Sequence, residues 1–317
     1  MRNPTRREML ELAAAAAALA LPTSAHAGQT PVPANTLRFF PGFSAKRVKT
    51  SGAEINLVHA GSGPPLLLMH GAPQTHVSMR LIAPELAKNY TVVVPDLRGY
   101  GDSSKPPDGE NHANYSKRAM ALDQVEVMKS FGFDKFAVVG HDRGGRVGHR
   151  MALDHPDKIT KLAVLDIVPT YYLYTHVDIR FIQSYFHWFN NVRAAPAPEN
   201  DLKGQYEAQK ARATNEVQLE YLRTSSDPAN IHALCEDYRA GASIDLEHDA
   251  ADLSKKIACP LLTLWGIKGP MGRIYDVLAI WKERAVNAGG KGLGGGHNLQ
   301  EDVPEEVLAE LRPFLKG

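Results

Sequence analysis

Short, nearly unbroken apolar runs recur along the chain at residues 66–69, 91–94, 136–139, 162–165 and 261–264. Runs of this length without polar alternation are the pattern of strands covered on both faces. Residues 54–59 read as an edge strand, with Gly61-Ser62-Gly63-Pro64 as the turn after it. Residues 117–131 repeat apolar positions at helical spacing, with Met120, Val127, Met128 and Phe131 on or near one face. A second helical pattern follows residue 142 and stops at Pro156, and a third covers 304–315. The last strand is poorly signalled, because 285–293 is rich in glycine. Strands alternating with helices predict an α/β fold: a mostly parallel sheet flanked by helices, with its chemistry at the carboxyl ends of the strands.

Between Pro169 and about Ser254 the pattern changes. Tyr171, Tyr172, Tyr174, Phe181, Tyr185, Phe186, Trp188 and Phe189 crowd the start, helix-like runs follow, and no strand is evident. This reads as a helical cap inserted between two sheet strands, shielding a site from water. The expected organisation is therefore a core over 28–169, a cap over 170–254 and the rest of the core over 255–317. Residues 1–27 stand apart. Thr5-Arg6-Arg7-Glu8-Met9-Leu10 resembles a twin-arginine export signal, a weakly apolar run follows, and Ala25-His26-Ala27 offers a small-residue cleavage site. The run is too short to span a bilayer. Cleavage after Ala27 would release a periplasmic protein with no membrane segment.

Composition narrows the function classes. With 44% hydrophobic and 22% charged residues and a formal net charge of +1, the chain has no electrostatic footprint for nucleic acid. Cys235 and Cys259 form no C-x-x-C motif and read as free thiols, with a disulfide open only in an oxidising compartment. No metal-ligand spacing and no phosphate-binding glycine motif is present, so neither a metal nor a cofactor is expected.

The chemistry centres on Gly140-His141-Asp142-Arg143-Gly144-Gly145-Arg146, where an apolar strand stops and a helical pattern begins. This is the G-x-nucleophile-x-G shape of a strand-to-helix elbow, which holds one side chain exposed above a parallel sheet. The usual occupant is serine; here it is aspartate. An aspartate is ionised at neutral pH and needs no base to become a nucleophile. Attack on an ester carbonyl would give an anhydride, a poor intermediate. Attack on a saturated carbon bearing a leaving group gives an ordinary ester that water can cleave. The elbow thus points to an alkyl halide or an epoxide. The plain alternative, an aspartate that merely caps a helix, leaves the bracketing glycines unexplained.

In this chain order a nucleophile is followed by an acid and then a histidine. His297, on Gly294-Gly295-Gly296-His297-Asn298, fits the last position. The loop after Trp265-Gly266 carries no carboxylate, so the acid is Asp166, at the end of the 162–165 run, with Asp276 and Glu301 in reserve. His70-Gly71-Ala72-Pro73-Gln74 follows a buried strand, where backbone N–H groups bind an oxyanion. Asp96 and Arg98 read as loop architecture. Arg143 and Arg146, three apart at a helix start, share one face and suit a carboxylate.

His70–Gln74, Asp96-Leu97-Arg98-Gly99-Tyr100-Gly101, the elbow, His187-Trp188, Glu236-Asp237-Tyr238-Arg239 and Gly296-His297 together resemble the haloacetate (fluoroacetate) dehalogenases of the α/β-hydrolase fold, from about Phe39 to the C-terminus. The resemblance implies hydrolysis of a 2-haloacetate to glycolate and halide. It implies Asp142 as nucleophile, His297 as base and Asp166 as its orienting acid. Arg143 and Arg146 would hold the substrate carboxylate, His187, Trp188 and Tyr238 the halide, and the N–H groups of Ala72 and Arg143 the oxyanion. The expected partner is a small haloacid, with a homodimer left open. Ala72 stands where the family often has a bulky aromatic, and the stretch from Trp188 to Tyr238 is short and lacks a further tryptophan. The preferred halogen and the size of acid are therefore open. An epoxide hydrolase using the same aspartate is the alternative, with Tyr171, Tyr172, Tyr174, Tyr185 and Tyr238 as proton donors. A non-catalytic ligand-binding member of the fold is a third reading, which the intact Asp142, Asp166 and His297 set opposes.

Overall fold

The computed structural model describes residues 31–317, so the export-signal reading of 1–27 lies outside the described residues. Eight strands form one sheet in the order β1-β2-β4-β3-β5-β6-β7-β8. They are β1 (Ser44–Lys49), β2 (Glu54–Ala60), β3 (Pro65–Met69), β4 (Thr91–Pro95), β5 (Phe136–His141), β6 (Ile159–Leu165), β7 (Leu261–Gly266) and β8 (Ala288–Leu293). β2 pairs antiparallel with both β1 and β4, and every other pairing is parallel.

Burial explains the unbroken apolar runs. Leu66 to Met69 in β3 and Leu162 to Leu165 in β6 are fully buried, and alternate residues feed two cores. Leu67, Met69, Val138 and Val164 face one layer, while Leu66, Leu68, Val139 and Leu165 face the other. The first layer also takes in Phe181, Trp188 and Tyr238, so helices beyond the sheet close over this core.

The expectation that 54–59 is an edge strand is corrected. β1 flanks it, with Val48 paired to Ile55, and forms the sheet edge. Ser-Ala-Lys-Arg-Val-Lys carries too little apolar pattern to be read as a strand, as edge strands commonly do. Two of the β8 glycines answer to close approach: a Cβ on Gly290 (φ +157°) would lie 1.9 Å from the Thr263 carbonyl oxygen, and one on Gly292 2.5 Å from the Ile267 side chain.

Six helices fill the interval between β6 and β7: Thr170–Thr175, Ile179–Asn191, Ala197–Lys210, Glu216–Ser225, Pro228–Gly241 and Ile244–Ala251. They do not split off, since residues 32–317 form a single unit. No helix among the described residues is long and apolar enough to cross a membrane. Cys235 and Cys259 are both free.

Candidate active site

The elbow has the geometry its glycines call for. β5 ends at His141, Asp142 takes φ +43°, ψ −113°, and the Arg143–Asp154 helix starts at the next residue. A non-glycine residue there is strained by roughly 1–3 kcal/mol, and such strain collects at functional sites. A Cβ on Gly140 would sit 2.4 Å from the Gly144 carbonyl oxygen, and one on Gly144 2.5 Å from that of Met69, so neither position tolerates a side chain. The turn is pinned by Gly144 N–H donating to His70 O at 2.9 Å and Asp142 N–H to Leu165 O at 3.2 Å.

Asp142 Oδ2 accepts the Ala72 N–H at 3.1 Å, which leaves Oδ1 unengaged by that loop. Burial disfavours the charged carboxylate, but His297, Arg143 and Arg146 outweigh it and hold the Asp142 pKa well below the usual carboxylate range. Arg143 is the first residue of its helix, so its N–H has no intrahelical acceptor.

Asp166 is completely buried at the end of β6, with φ +54°. Its Oδ1 accepts the Gly266 N–H at 2.9 Å and its Oδ2 bonds His297 Nδ1 at 2.6 Å. Burial opposes protonation of His297, yet the Asp166 hydrogen bond and the Asp142 and Asp166 charges raise its pKa overall. The hydrogen bond fixes Nδ1 as the protonated nitrogen and leaves Nε2 as the base. The reserves lie elsewhere: Asp276 caps the Val277–Arg284 helix, and Glu301 bonds Gln74, Arg80 and Tyr221.

One enclosed cavity of about 250 Å³ is lined by Asp142, Asp166 and His297 from the strand ends, and by Arg146, Tyr185, His187, Trp188 and Tyr238. His187 and Trp188 come from the Ile179–Asn191 helix and Tyr238 from Pro228–Gly241. Tyr238 meets His187 edge-on at 5.8 Å and Trp188 at 5.7 Å between ring centres, so three rings that carry N–H or O–H groups pack together on the cavity lining. Burial, then the Arg143 charge, pushes the His187 pKa down to about 4, which keeps its imidazole neutral.

The two arginines differ. Arg146 lines the cavity, donates from Nη1 to Val168 O and Thr170 Oγ1 at 3.0 Å each, and has a buried Nε with no partner. Arg143 does not line it. Its guanidinium lies 3.7 Å from the Tyr238 ring centre and 4.7 Å from that of Trp188, with Asp237 at 3.6 Å. All three of its nitrogens are buried without a hydrogen-bond partner.

Asp237 escaped the sequence reading as a functional residue. It is fully buried, accepts the Tyr100 hydroxyl at 2.5 Å, pairs with Lys117, and faces Arg143. A carboxylate on a charged helical stretch reads as solvated, and only the fold brings Lys117 and Arg143 to it. Asp96 and Arg98 are architectural, as read: Asp96 binds the His76 N–H, the His76 ring and Asn56, while Arg98 pairs with Asp123. Of the five tyrosines proposed as donors, Tyr185 and Tyr238 line the cavity, and Tyr171, Tyr172 and Tyr174 do not. Asp108, His232 and Glu236 bring three ligand atoms within 4.8 Å of one another, but outside this cavity. Their groups already pair, His232 with Asp108 and Glu199, Glu236 with His112 and Arg239.

Residues 64–304 match a family model described as alpha/beta hydrolase fold. A fluoroacetate dehalogenase of Burkholderia sp is 46% identical over 288 residues, covering 87% of this chain and 95% of its own. A soluble epoxide hydrolase of Corynebacterium sp. (strain C12) is 33% identical over 282 residues, covering 84% and 94%. Among solved structures, a protein of Nostoc sp PCC 7120 classed with the alpha/beta hydrolases superposes with a TM-score of 0.83 at 51% identity, covering 86% of this chain and 98% of that one.

Proposed function

The chain belongs to the haloacetate dehalogenases of the alpha/beta hydrolase fold, and from that membership we propose that it hydrolyses a 2-haloacetate to glycolate and halide through an ester on Asp142. The observation that carries this reading is a single cavity in which the elbow aspartate, an Asp166-supported histidine, Arg146 and three compact donors meet.

Arg146 binds the substrate carboxylate and sets the α-carbon against Asp142, which gains the rate advantage of a fixed approach. Arg143 contributes charge from behind Tyr238 and Trp188. Oδ1 of Asp142 attacks, because Oδ2 is held by Ala72. The carbon–halogen bond breaks as the carbon–oxygen bond forms, and the leaving halide accepts hydrogen bonds from His187, Trp188 and Tyr238. Each aimed donor lowers the barrier by roughly 3 kcal/mol, or about a hundredfold in rate. His297 Nε2 then takes a proton from water, whose oxygen attacks Cγ of Asp142. The oxyanion forms on Oδ2, facing the Ala72 and Arg143 N–H groups. Collapse expels the glycolate oxygen, which takes the proton back from His297.

Tyr185 and Tyr238 on the cavity wall are the observation that favours epoxide opening as a second reading. Arg146 weighs against it, since a neutral epoxide has no carboxylate to bind. Halide release from fluoroacetate, chloroacetate and 2-chloropropionate, run beside diol formation from an aryl epoxide, separates the two. The expected result is halide from the haloacids; diol without halide would overturn the assignment. Export belongs to the same proposal: a mature protein beginning at Gly28 in the periplasmic fraction supports it, and an uncleaved cytoplasmic protein contradicts it.

A further inference from the structure

The reaction above leaves one polar wall group without a task. Asp142, Asp166, Arg146, His187, Trp188, Tyr238 and His297 all have one, whereas Tyr185 does not. Its ring is 8% exposed, it lines the same cavity, and its hydroxyl is buried with no hydrogen-bond partner. A buried hydroxyl left unpaired is costly, and such groups call for a ligand or water that completes them.

The backbone puts it there deliberately. The Ile179–Asn191 helix leaves helical geometry at Tyr185 (φ −128°, ψ 32°). In an unbroken helix, residues two apart point away from each other. The break lets Tyr185, His187 and Trp188 all reach one cavity. Tyr185 packs on Phe181, with ring centres 5.2 Å apart, and on His187 at 5.9 Å, so ring packing and not a hydrogen bond holds it.

Its surroundings differ from those of the two other orphaned phenols among the described residues, Tyr174 and Tyr275, neither of which lines the cavity. Tyr174 stays protonated through burial, beside the guanidinium charges of Arg143 and Arg146. Tyr185 lines the cavity together with Asp142, Asp166 and His297, and burial first, then the charges of Asp166 and Asp142, hold it protonated.

We propose that Tyr185 is the positioning residue for the hydrolytic water: its oxygen accepts the hydrogen that His297 does not take, and so aims the water's lone pair at Cγ of Asp142. This rests on the ester mechanism proposed above. Bonds balance: one water proton goes to His297 and on to the departing glycolate oxygen, the other stays on the oxygen that bonds Cγ and is lost when Asp142 ionises again, and Tyr185 neither gains nor loses a proton.

The test measures the fraction of enzyme carrying the carboxymethyl ester during steady turnover of chloroacetate, by intact mass after acid quench. Tyr185→Phe keeps the ring on Phe181 and removes only the oxygen. The expected result is an ester fraction at least tenfold above wild type, a lowered kcat and a KM lowered with it. Tyr185→His, which restores a polar atom, recovers part of kcat and serves as the second folded variant. An ester fraction unchanged in both variants overturns the inference, as does a fall in kcat with KM raised. Wild-type enzyme that releases no halide from chloroacetate would instead overturn the dehalogenase reading itself.

Discussion

Replacing Arg146 with methionine keeps the length of the side chain and removes its charge. Nη1 is committed to Val168 O and Thr170 Oγ1, while Nε is buried and unpartnered. The substrate carboxylate therefore meets the free edge of the guanidinium. Hydrogen bonds to a charged group contribute about 1.5–3 kcal/mol. At about 1.4 kcal/mol per decade, kcat/KM for chloroacetate should fall roughly 10- to 150-fold. The loss should appear mainly in KM, because the carboxylate is bound alike before and during displacement. Asp142 stays ionised at neutral pH, since His297 and Arg143 still depress its pKa. Turnover of a neutral alkyl halide should therefore change little, and inhibition by glycolate should weaken by the same factor as KM. The orphaned Val168 carbonyl costs roughly 1–3 kcal/mol of stability, read separately from the urea midpoint. The assay is steady-state halide release on chloroacetate and 2-chloroethanol, with glycolate as inhibitor. Equal loss on both substrates, or an unchanged glycolate affinity, would refute the carboxylate role.

Further outcomes follow from the same geometry. His297 must be neutral to act as base, so kcat should rise with pH through the His297 titration, whose midpoint the Asp166 hydrogen bond and charge raise, while the Asp142 contribution disappears once that carboxylate is esterified. Asp166→Asn should move that midpoint down and lower kcat about 10²- to 10⁴-fold, measured by pH–rate profiles. His297→Asn should trap the ester on Asp142 after one turnover, seen as a mass adduct with one halide released per site. Asp237→Asn leaves the buried Arg143 and Lys117 short of a counter-charge. Breaking such a buried pair costs about 3–5 kcal/mol, which denaturant unfolding would register.

What could be read from the sequence was what is local. The elbow announces itself because glycines are forced at fixed offsets by strand–helix contact, and Asp166 and His297 follow as residues just past strand ends. The burial of β3 to β7 shows as apolar runs for the same reason. β1 and β8 were harder: one is an edge strand whose polar face hides the pattern, and the other is shaped by Gly290 against Thr263 rather than by hydrophobicity. The split between Arg146 and Arg143 is not local either. Both stand on one helix face and both guanidinium groups lie 4.7 Å from the Trp188 ring centre, but Tyr238, arriving from another helix, covers Arg143 alone, and only Arg146 lines the cavity. Asp237 was missed on the same grounds, because its partners come from distant segments. Tyr185 stood among many tyrosines until a helix break gave it a direction.

The central claim is that a carboxylate oxygen of Asp142, not water, makes the new bond to carbon. A single turnover in ¹⁸O-labelled water, with enzyme in excess over chloroacetate, tests this by mass analysis of the peptide containing Asp142. The account predicts label in the Asp142 carboxylate and unlabelled oxygen in the first glycolate hydroxyl. Label in that hydroxyl, with none in Asp142, would contradict it.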